Sequence, residues 1–335
     1  MKKQIATPKS MGKVIGRSIR TSLLNLGSAT KVELSRSLGI SFPTISKFIT
    51  EMEKDGEILQ LGLDGSSGGR RAKRYTYNAE YMYGLALFLE KSETNYTIFN
   101  CQGEVKEKGK MGSVLADGGL SLLTDCIEQL IMRFPKIRSI ALGVPGSVDG
   151  SRIFYIPGYD DYQDVDLKGY CEERFGIRTV VENDMNASVL GYYHHNGSHK
   201  QSLVYLYAGQ NGPGAGVMIN GDVVRGRSFF TGEVSFVPLY SEQNFQQAME
   251  KESHSIRVDA MSRLVASFTG MINPHTFIFC EGEVSQADLE EISRISSTFI
   301  PSEHLPDLTV SDFQQDYLFG LQQLCLDLML DGASG

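Results

Sequence analysis

Tryptophan is absent from the 335 residues, and the five cysteines, at 101, 126, 171, 280 and 325, stand far apart with no CxxC pair. Isolated thiols give neither the ligand spacing of a zinc cluster nor a disulfide framework, so reduced, largely buried cysteines and no structural metal are expected. No apolar run approaches the ~18 residues of a membrane span, and Gln4 to Ser10, after Lys2 and Lys3, lacks the apolar stretch of a secretion signal. A cytoplasmic location follows as the expectation. Heptads, low-complexity tracts and internal repeats are also missing.

Positive charge is the minority, with 32 Lys and Arg against 40 Asp and Glu, but it is unevenly placed: residues 1–80 hold 14 basic and 7 acidic side chains. A basic head on an acidic body is the pattern of a chain that meets phosphates at one end. The head also has the right periodicity. Ile15, Ile19, Leu23 and Leu26 predict a first helix from about Lys13 to Leu26. Val32, Leu34 and Leu38 predict a second, Gly39 a tight turn, and Ile45, Phe48, Ile49 and Met52 a third. Three such helices are expected to form a self-sufficient core.

The third helix would turn Ser41, Phe42, Pro43, Thr44, Ser46 and Lys47 outward, which suits a recognition helix reading the major groove. Ile58 to Leu61 and Arg74 to Tyr77 read as two strands around a Gly- and Ser-rich loop, a wing whose Arg70, Arg71 and Lys73 suit the minor groove of A·T-rich DNA. Residues 1–79 are therefore expected to be a winged helix-turn-helix domain that binds double-stranded DNA.

Residues 80–335 alternate strand-like and helix-like segments, an α/β body with ligand chemistry at strand ends. Leu85 to Leu89, Thr94 to Asn100, Ile137 to Val144 and Thr179 to Glu182 read as strands. Gly119 to Phe134, Leu167 to Phe175 and the segment opened by Asn183 and Asp184 read as helices. VPGSVDG at 144–150, IPGYDDYQDVDL at 156–167, VVENDMNASVLG at 180–191, GPGAGVMINGDVVRG at 212–226 and TGEVSF at 231–236 follow one another in an order and spacing that resemble the ROK family of sugar kinases and sugar-responsive repressors, with MINP at 271–274 extending the match.

That resemblance implies an actin-like (sugar kinase/Hsp70-type) body of two α/β lobes around a cleft, assembled as a homodimer or homotetramer and binding an inverted-repeat operator. It places a sugar or sugar phosphate at Asn183, Asp184, Glu233 and the Gly146 turn. It also marks departures. The kinases' Asp-x-Gly-x-Thr phosphate loop has no counterpart in residues 84–96, where Ala86 falls at the aspartate's place and Glu90 adds negative charge.

The second glycine loop keeps Gly212, Gly214 and Gly216, but Pro213 offers no N–H to a phosphate. Phe236 stands where the family has a histidine, and Ser241 to Ile256 replaces the cysteine-rich zinc segment; Phe236 is expected either to stack on a sugar face or to fill the cleft. The resulting expectation is a transcriptional repressor with no catalytic residue and no cofactor. A kinase carrying a DNA-binding head is the first alternative, and a regulator whose body only dimerises or docks a partner is the second. His194, His195 and His199, and the run Asp160, Asp161, Asp164 and Asp166, lack metal-ligand spacing and read as solvated surface. Tyr81, Tyr83, Phe88, Tyr96 and Phe99 read as core and interface aromatics.

Overall fold

A computed structural model describes residues 8–63, 72–115, 119–156, 159–197, 201–209 and 212–331. Pro8–Leu26 form α1, Ala29–Thr30 the short strand β1, Lys31–Leu38 helix α2 and Phe42–Lys54 helix α3. The sequence fixes these ends locally. Thr30 Oγ1 accepts from Glu33 N at 3.2 Å while Glu33 Oε2 accepts from Thr30 N at 2.7 Å, a reciprocal cap that starts α2. Gly39 ends it with φ 64°, where a side chain would be strained. Ser41 then caps α3, with Pro43 in its first turn.

Strands β2 (Ile58–Leu63) and β3 (Lys73–Tyr77) complete an antiparallel sheet in the order β1-β3-β2, which is the winged-helix arrangement. Two expectations change. Val32 is 41 % exposed, so α2 enters the core through Leu34. The head is also not closed on itself: one apolar cluster runs from Ile19, Leu23 and Ile45 through Tyr77 and Met82 to Tyr317, Leu321 and Cys325 in the body.

The body begins with the antiparallel meander β4 (Tyr83–Leu89), β5 (Glu93–Asn100) and β6 (Val105–Gly112). Helix α4 (Gly119–Arg133) returns the chain to β7 (Ile137–Val144), parallel to β4. The small hairpin β8 (Ser147–Val148) and β9 (Ile153–Tyr155) and helix α5 (Leu167–Phe175) lead to β10 (Arg178–Asn183), parallel to β7. The sheet order is β10-β7-β4-β5-β6. After α6 (Asp184–His195) the same plan recurs.

The second meander is β11 (Leu203–Tyr207), β12 (Gly214–Ile219) and β13 (Asp222–Val223). It is followed by the hairpin β14 (Pro238–Tyr240) and β15 (Gln243–Asn244), then helices α7 (Phe245–Met249) and α8 (His254–Ile272), β16 (Thr276–Cys280), α9 (Gln286–Ser296), β17 (Asp307–Ser311) and α10 (Phe313–Leu330). Its sheet order is β13-β12-β11-β16-β17, with β16 and β17 parallel to β11. Two lobes built on one topology are the body expected from the resemblance.

Helix α10 joins the parts. Its buried Asp316 accepts from Tyr205 Oη at 3.0 Å and Ser311 Oγ at 2.5 Å in the second lobe, and its middle lies across α6. At the crossing the helices touch backbone to backbone: a Cβ on Gly320 would overlap Ala187 O, and one on Gly191 would overlap Asp316 O. The C-terminal end of α10 reaches the head. Arg17 pairs with Asp327 at 2.9 Å and with Asp331, Arg20 Nη1 donates to Leu330 O at 3.3 Å, and Arg178 of the first lobe meets Asp331 at 3.2 Å. Gly320→Ala is expected to lower stability by about 2–3 kcal/mol, the usual cost of overpacking a tight contact; chemical denaturation of wild type and variant checks this.

Candidate functional site

Two parallel strands end side by side, with Asn183 of β10 opposite Val144 of β7, so the Gly146 turn and the start of α6 meet at one edge of the first sheet. The carboxyl ends of parallel strands are where open α/β sheets hold ligands. In the second lobe β11 ends at Tyr207, opposite Gly214, and the segment from Arg225 to Glu233 folds over the gap. The cleft between these edges is lined by Gly146, Asn183, Asp184, Tyr207, Arg225, Phe229, Thr231 and Glu233. All four ligand residues expected from the sequence therefore line one cavity.

Asn183 caps α6 and fixes its neighbours. Its Oδ1 accepts from Asn186 N at 3.0 Å, while its Nδ2 donates to Gly146 O at 3.0 Å and to Asp184 Oδ1 at 2.9 Å. Met185 N also donates to Asp184 Oδ1, at 2.8 Å. These bonds hold one oxygen of Asp184 and leave Oδ2 without a bond to a described residue. Asp184 is half-buried and faces the cleft, and desolvation by the surrounding protein, reinforced by the charges of Glu90 and Glu233, pushes its carboxyl up to about 7. Burial likewise raises Glu233, which accepts from Ser147 Oγ of the opposite lobe at 3.3 Å.

The motifs give no sign of Glu182, Arg225 or Phe229. Glu182 is buried beneath the cleft, where it accepts from Asn183 N at 3.0 Å and Asn186 Nδ2 at 3.1 Å and pairs with Arg225 from the second lobe. Phe229 holds φ 57°, a strained region for a bulky side chain, and its ring stacks on Phe154 of the first lobe with centroids 5.6 Å apart and planes at 24°. Phe236 neither fills the cleft nor reaches it. It is 59 % exposed and leans on Phe230, because its short 3-10 turn, residues 234–236, buries Val234 and Ser235 instead.

Glycine serves packing as much as ligand access here. A side chain at Gly216 would overlap Met185 O in α6, and Gly232, with φ 94°, brings its carbonyl to accept from Ala215 N at 2.8 Å. Beyond the glycine turn the cleft is full: Tyr207 stacks on Phe313 at 4.0 Å and 14°, and Phe88 lies 4.1 Å from Tyr317. Ala86 is buried mid-strand opposite Thr97, two residues short of this cluster, so Phe88 faces the cluster from the end of β4. Glu283, exposed at the surface, stands at the start of the glycine turn with both carboxylate oxygens accepting from Ala208 N at 3.2 Å, and desolvation by the surrounding protein pushes it up to about 7.

On the head, Ser41, Phe42, Pro43 and Lys47 are exposed and Thr44 and Ser46 half-buried along the outer face of α3. Ser46 Oγ accepts from Lys31 Nζ at 3.0 Å, which brings a further cation to that face. Lys73 is exposed at the start of β3, whereas Arg70 and Arg71 lie outside the described residues, as does His199. No described helix is long and apolar enough to cross a membrane.

Asp184 gives a pH signature. Its ordinary value is 3.8 and its folded value about 7, so between these the folded state holds the extra proton. Stability is then lost as pH rises from about 4 to about 7 and is level above. Asp184→Asn keeps an acceptor for Met185 N–H, and is expected to melt higher than wild type at pH 8, by on the order of 2 kcal/mol, and close to it at pH 4. Thermal unfolding at the two pH values decides.

Residues 91–245 match the ROK family. The xylose repressor of Bacillus spizizenii is 23% identical over 241 residues, covering 70% of this chain and 63% of the repressor, so the chain spans under two thirds of that relative's length. A crystal structure of a ROK family transcriptional regulator, homologous to the Escherichia coli MLC protein, superposes with TM-score 0.75 at 16% identity over 96% of this chain and 98% of its own. A ROK glucokinase from Streptomyces griseus, solved with glucose and AMPPNP, superposes with TM-score 0.56 at 17% identity over 72% of this chain and 99% of its own. The family's sequence pattern thus runs from the first lobe into the second, and the two-lobed body with its N-terminal head has the fold of solved ROK proteins.

Proposed function

We propose that this protein is a sequence-specific transcriptional repressor of sugar-metabolism genes, released from its operator by a sugar bound in the cleft, and that it is not a kinase. The observation that carries this reading is the continuity of α6 and α10: the helix that begins at Asp184 crosses, at Gly191 and Gly320, the helix whose far end holds Arg17 and Arg20 of the head. The kinship with a xylose repressor supports the same assignment. Residues 1–79 serve as the DNA-binding domain, with Ser41 to Lys47 in the major groove and Arg70, Arg71 and Lys73 at the wing. Residues 80–335 bind the effector and dimerise, so that two recognition helices meet an inverted repeat.

Sugar hydroxyls donate to Asp184 and Glu233, while Asn183, whose amide hydrogens bond Gly146 O and Asp184 Oδ1, holds the turn and the carboxylate in place for them. Closing the lobes around the ligand tilts α10 and hence the head. The coupling typical of such transitions is about 1–3 kcal/mol, enough to weaken operator binding severalfold. Phosphoryl transfer needs donors and a metal around the nucleotide phosphates. Here Glu283 takes the Ala208 N–H, Pro213 has none to give, and the Tyr207–Phe313 stack stands beside the loop.

Operator binding is expected to fall steeply with salt, and Lys47→Ala to lower both the affinity and the slope of log Kd against log salt by about one phosphate contact; fluorescence anisotropy across a salt series measures both. An unchanged slope would remove Lys47 from the interface. With the sugar that releases the wild type, Asp184→Asn is expected to stay bound to operator at concentrations at least tenfold higher. ATP consumption with a hexose, abolished by the same substitution, would instead establish the kinase.

A further inference from the structure

Two carboxylates line the cleft, Asp184 and Glu233, and two more, Glu90 and Glu283, stand at its margin, near enough for their charges to reach Tyr207. Glu90 stands in the turn after β4 and Asp184 opens α6; Glu233 and Glu283 face them from the second lobe. Their fields overlap: the charges of Glu90 and Glu233 raise Asp184, and those of Glu90, Glu283 and Asp184 raise the Tyr207 phenol, in each case after burial as the larger cause. Among the described residues lining the cleft the one cation is Arg225, and its guanidinium already neutralises the buried Glu182. The backbone donor at Ala208 is taken by Glu283. Nothing in this set compensates a dianion, and a phosphate ester brings about −1.5 to −2 charges at neutral pH.

Hydroxyl groups meet the opposite situation. A carboxylate accepts strongly from them, and Asp184 has an oxygen to spare. Beside the carboxylates, Phe229 is held in its strained backbone conformation and braced by Phe154 of the first lobe, so one aromatic ring bounds the cleft next to polar residues. That pairing of an apolar face with acceptors matches a sugar ring, whose C–H face is apolar and whose rim is hydroxyl.

Building on the sugar-binding reading above, we propose that the cleft selects an uncharged monosaccharide, its ring against Phe229, and rejects the corresponding sugar phosphate. The effector is then a free sugar as it enters metabolism, before any phosphorylating step. Glu90 and Glu283 act as the excluding charges, remote from the hydroxyl contacts.

Isothermal titration of the full-length protein at pH 7.5 with D-xylose, D-glucose and N-acetyl-D-glucosamine, and with xylose 5-phosphate, glucose 6-phosphate and N-acetylglucosamine 6-phosphate, tests this. At least one free sugar is expected to bind, with its ester at least fiftyfold weaker. Phe229→Ala should weaken the free sugar at least fivefold. The double variant Glu90→Gln/Glu283→Gln should narrow the gap between sugar and ester at least fivefold, with circular dichroism verifying its fold. An ester that binds as tightly as its sugar overturns the selectivity while leaving the sugar site standing. A gap that ignores the double variant overturns the electrostatic cause. Heat from none of the six overturns both the selectivity and the sugar-binding reading.

Discussion

The rest of the molecule depends on the place where α6 and α10 cross without side chains between them. Gly191 and Gly320 let Asp316 O and Ala187 O approach the facing backbone, and interiors packed at that density shift as units rather than deform. Because Asp316 is bonded to Tyr205 and Ser311, the start of α10 belongs to the second lobe, whereas Arg178 and Arg17 tie its end to the first lobe and the head. The apolar cluster that continues from α1 into α10 makes the same connection through the core. A change in lobe closure therefore has a stiff element through which to reach the head.

The cleft works against folding. Desolvation by the surrounding protein favours the protonated form of a carboxylate and raises Asp184, Glu233 and Glu283, and at Asp184 the charges of Glu90 and Glu233 add to it. A fold keeps such groups where a ligand repays the desolvation, and a ligand of hydroxyl groups does so without adding charge. The same crowding is hostile to nucleotide phosphates. One arrangement thus fits both parts of the proposal, a sugar site without phosphoryl transfer, while Gly216 serves packing by passing close to Met185 O.

Much of this was legible in the sequence wherever the determinant is local. The head's helices are written in Ile19, Leu23, Leu34, Ile45 and Ile49, its boundaries in Thr30, Gly39 and Ser41, and the cleft's near side in the order of Gly146, Asn183, Asp184 and Glu233. Local reading failed where a residue's role depends on a distant partner. Arg225 looks like any basic loop residue until Glu182, 43 positions earlier, is seen beside it. Phe236 stands where the family has a histidine, yet the ring that lines the cleft is Phe229, braced by Phe154. Val32 fits a helical stripe by spacing and is nevertheless exposed, since α2 is too short to bury more than Leu34 fully.

The sequence by itself determined the helices and strands of the head, the α/β alternation of the body and the residue types at the strand ends, because periodicity, capping and turn chemistry act within a few residues of one another. Tertiary structure alone decided that head and body share a core, that α10 links the cleft to the head, and that carboxylates from separate segments gather in and around the cleft. Those facts rest on contacts between residues far apart in the chain, whose energies arise only when the two lobes bring them within a few ångströms.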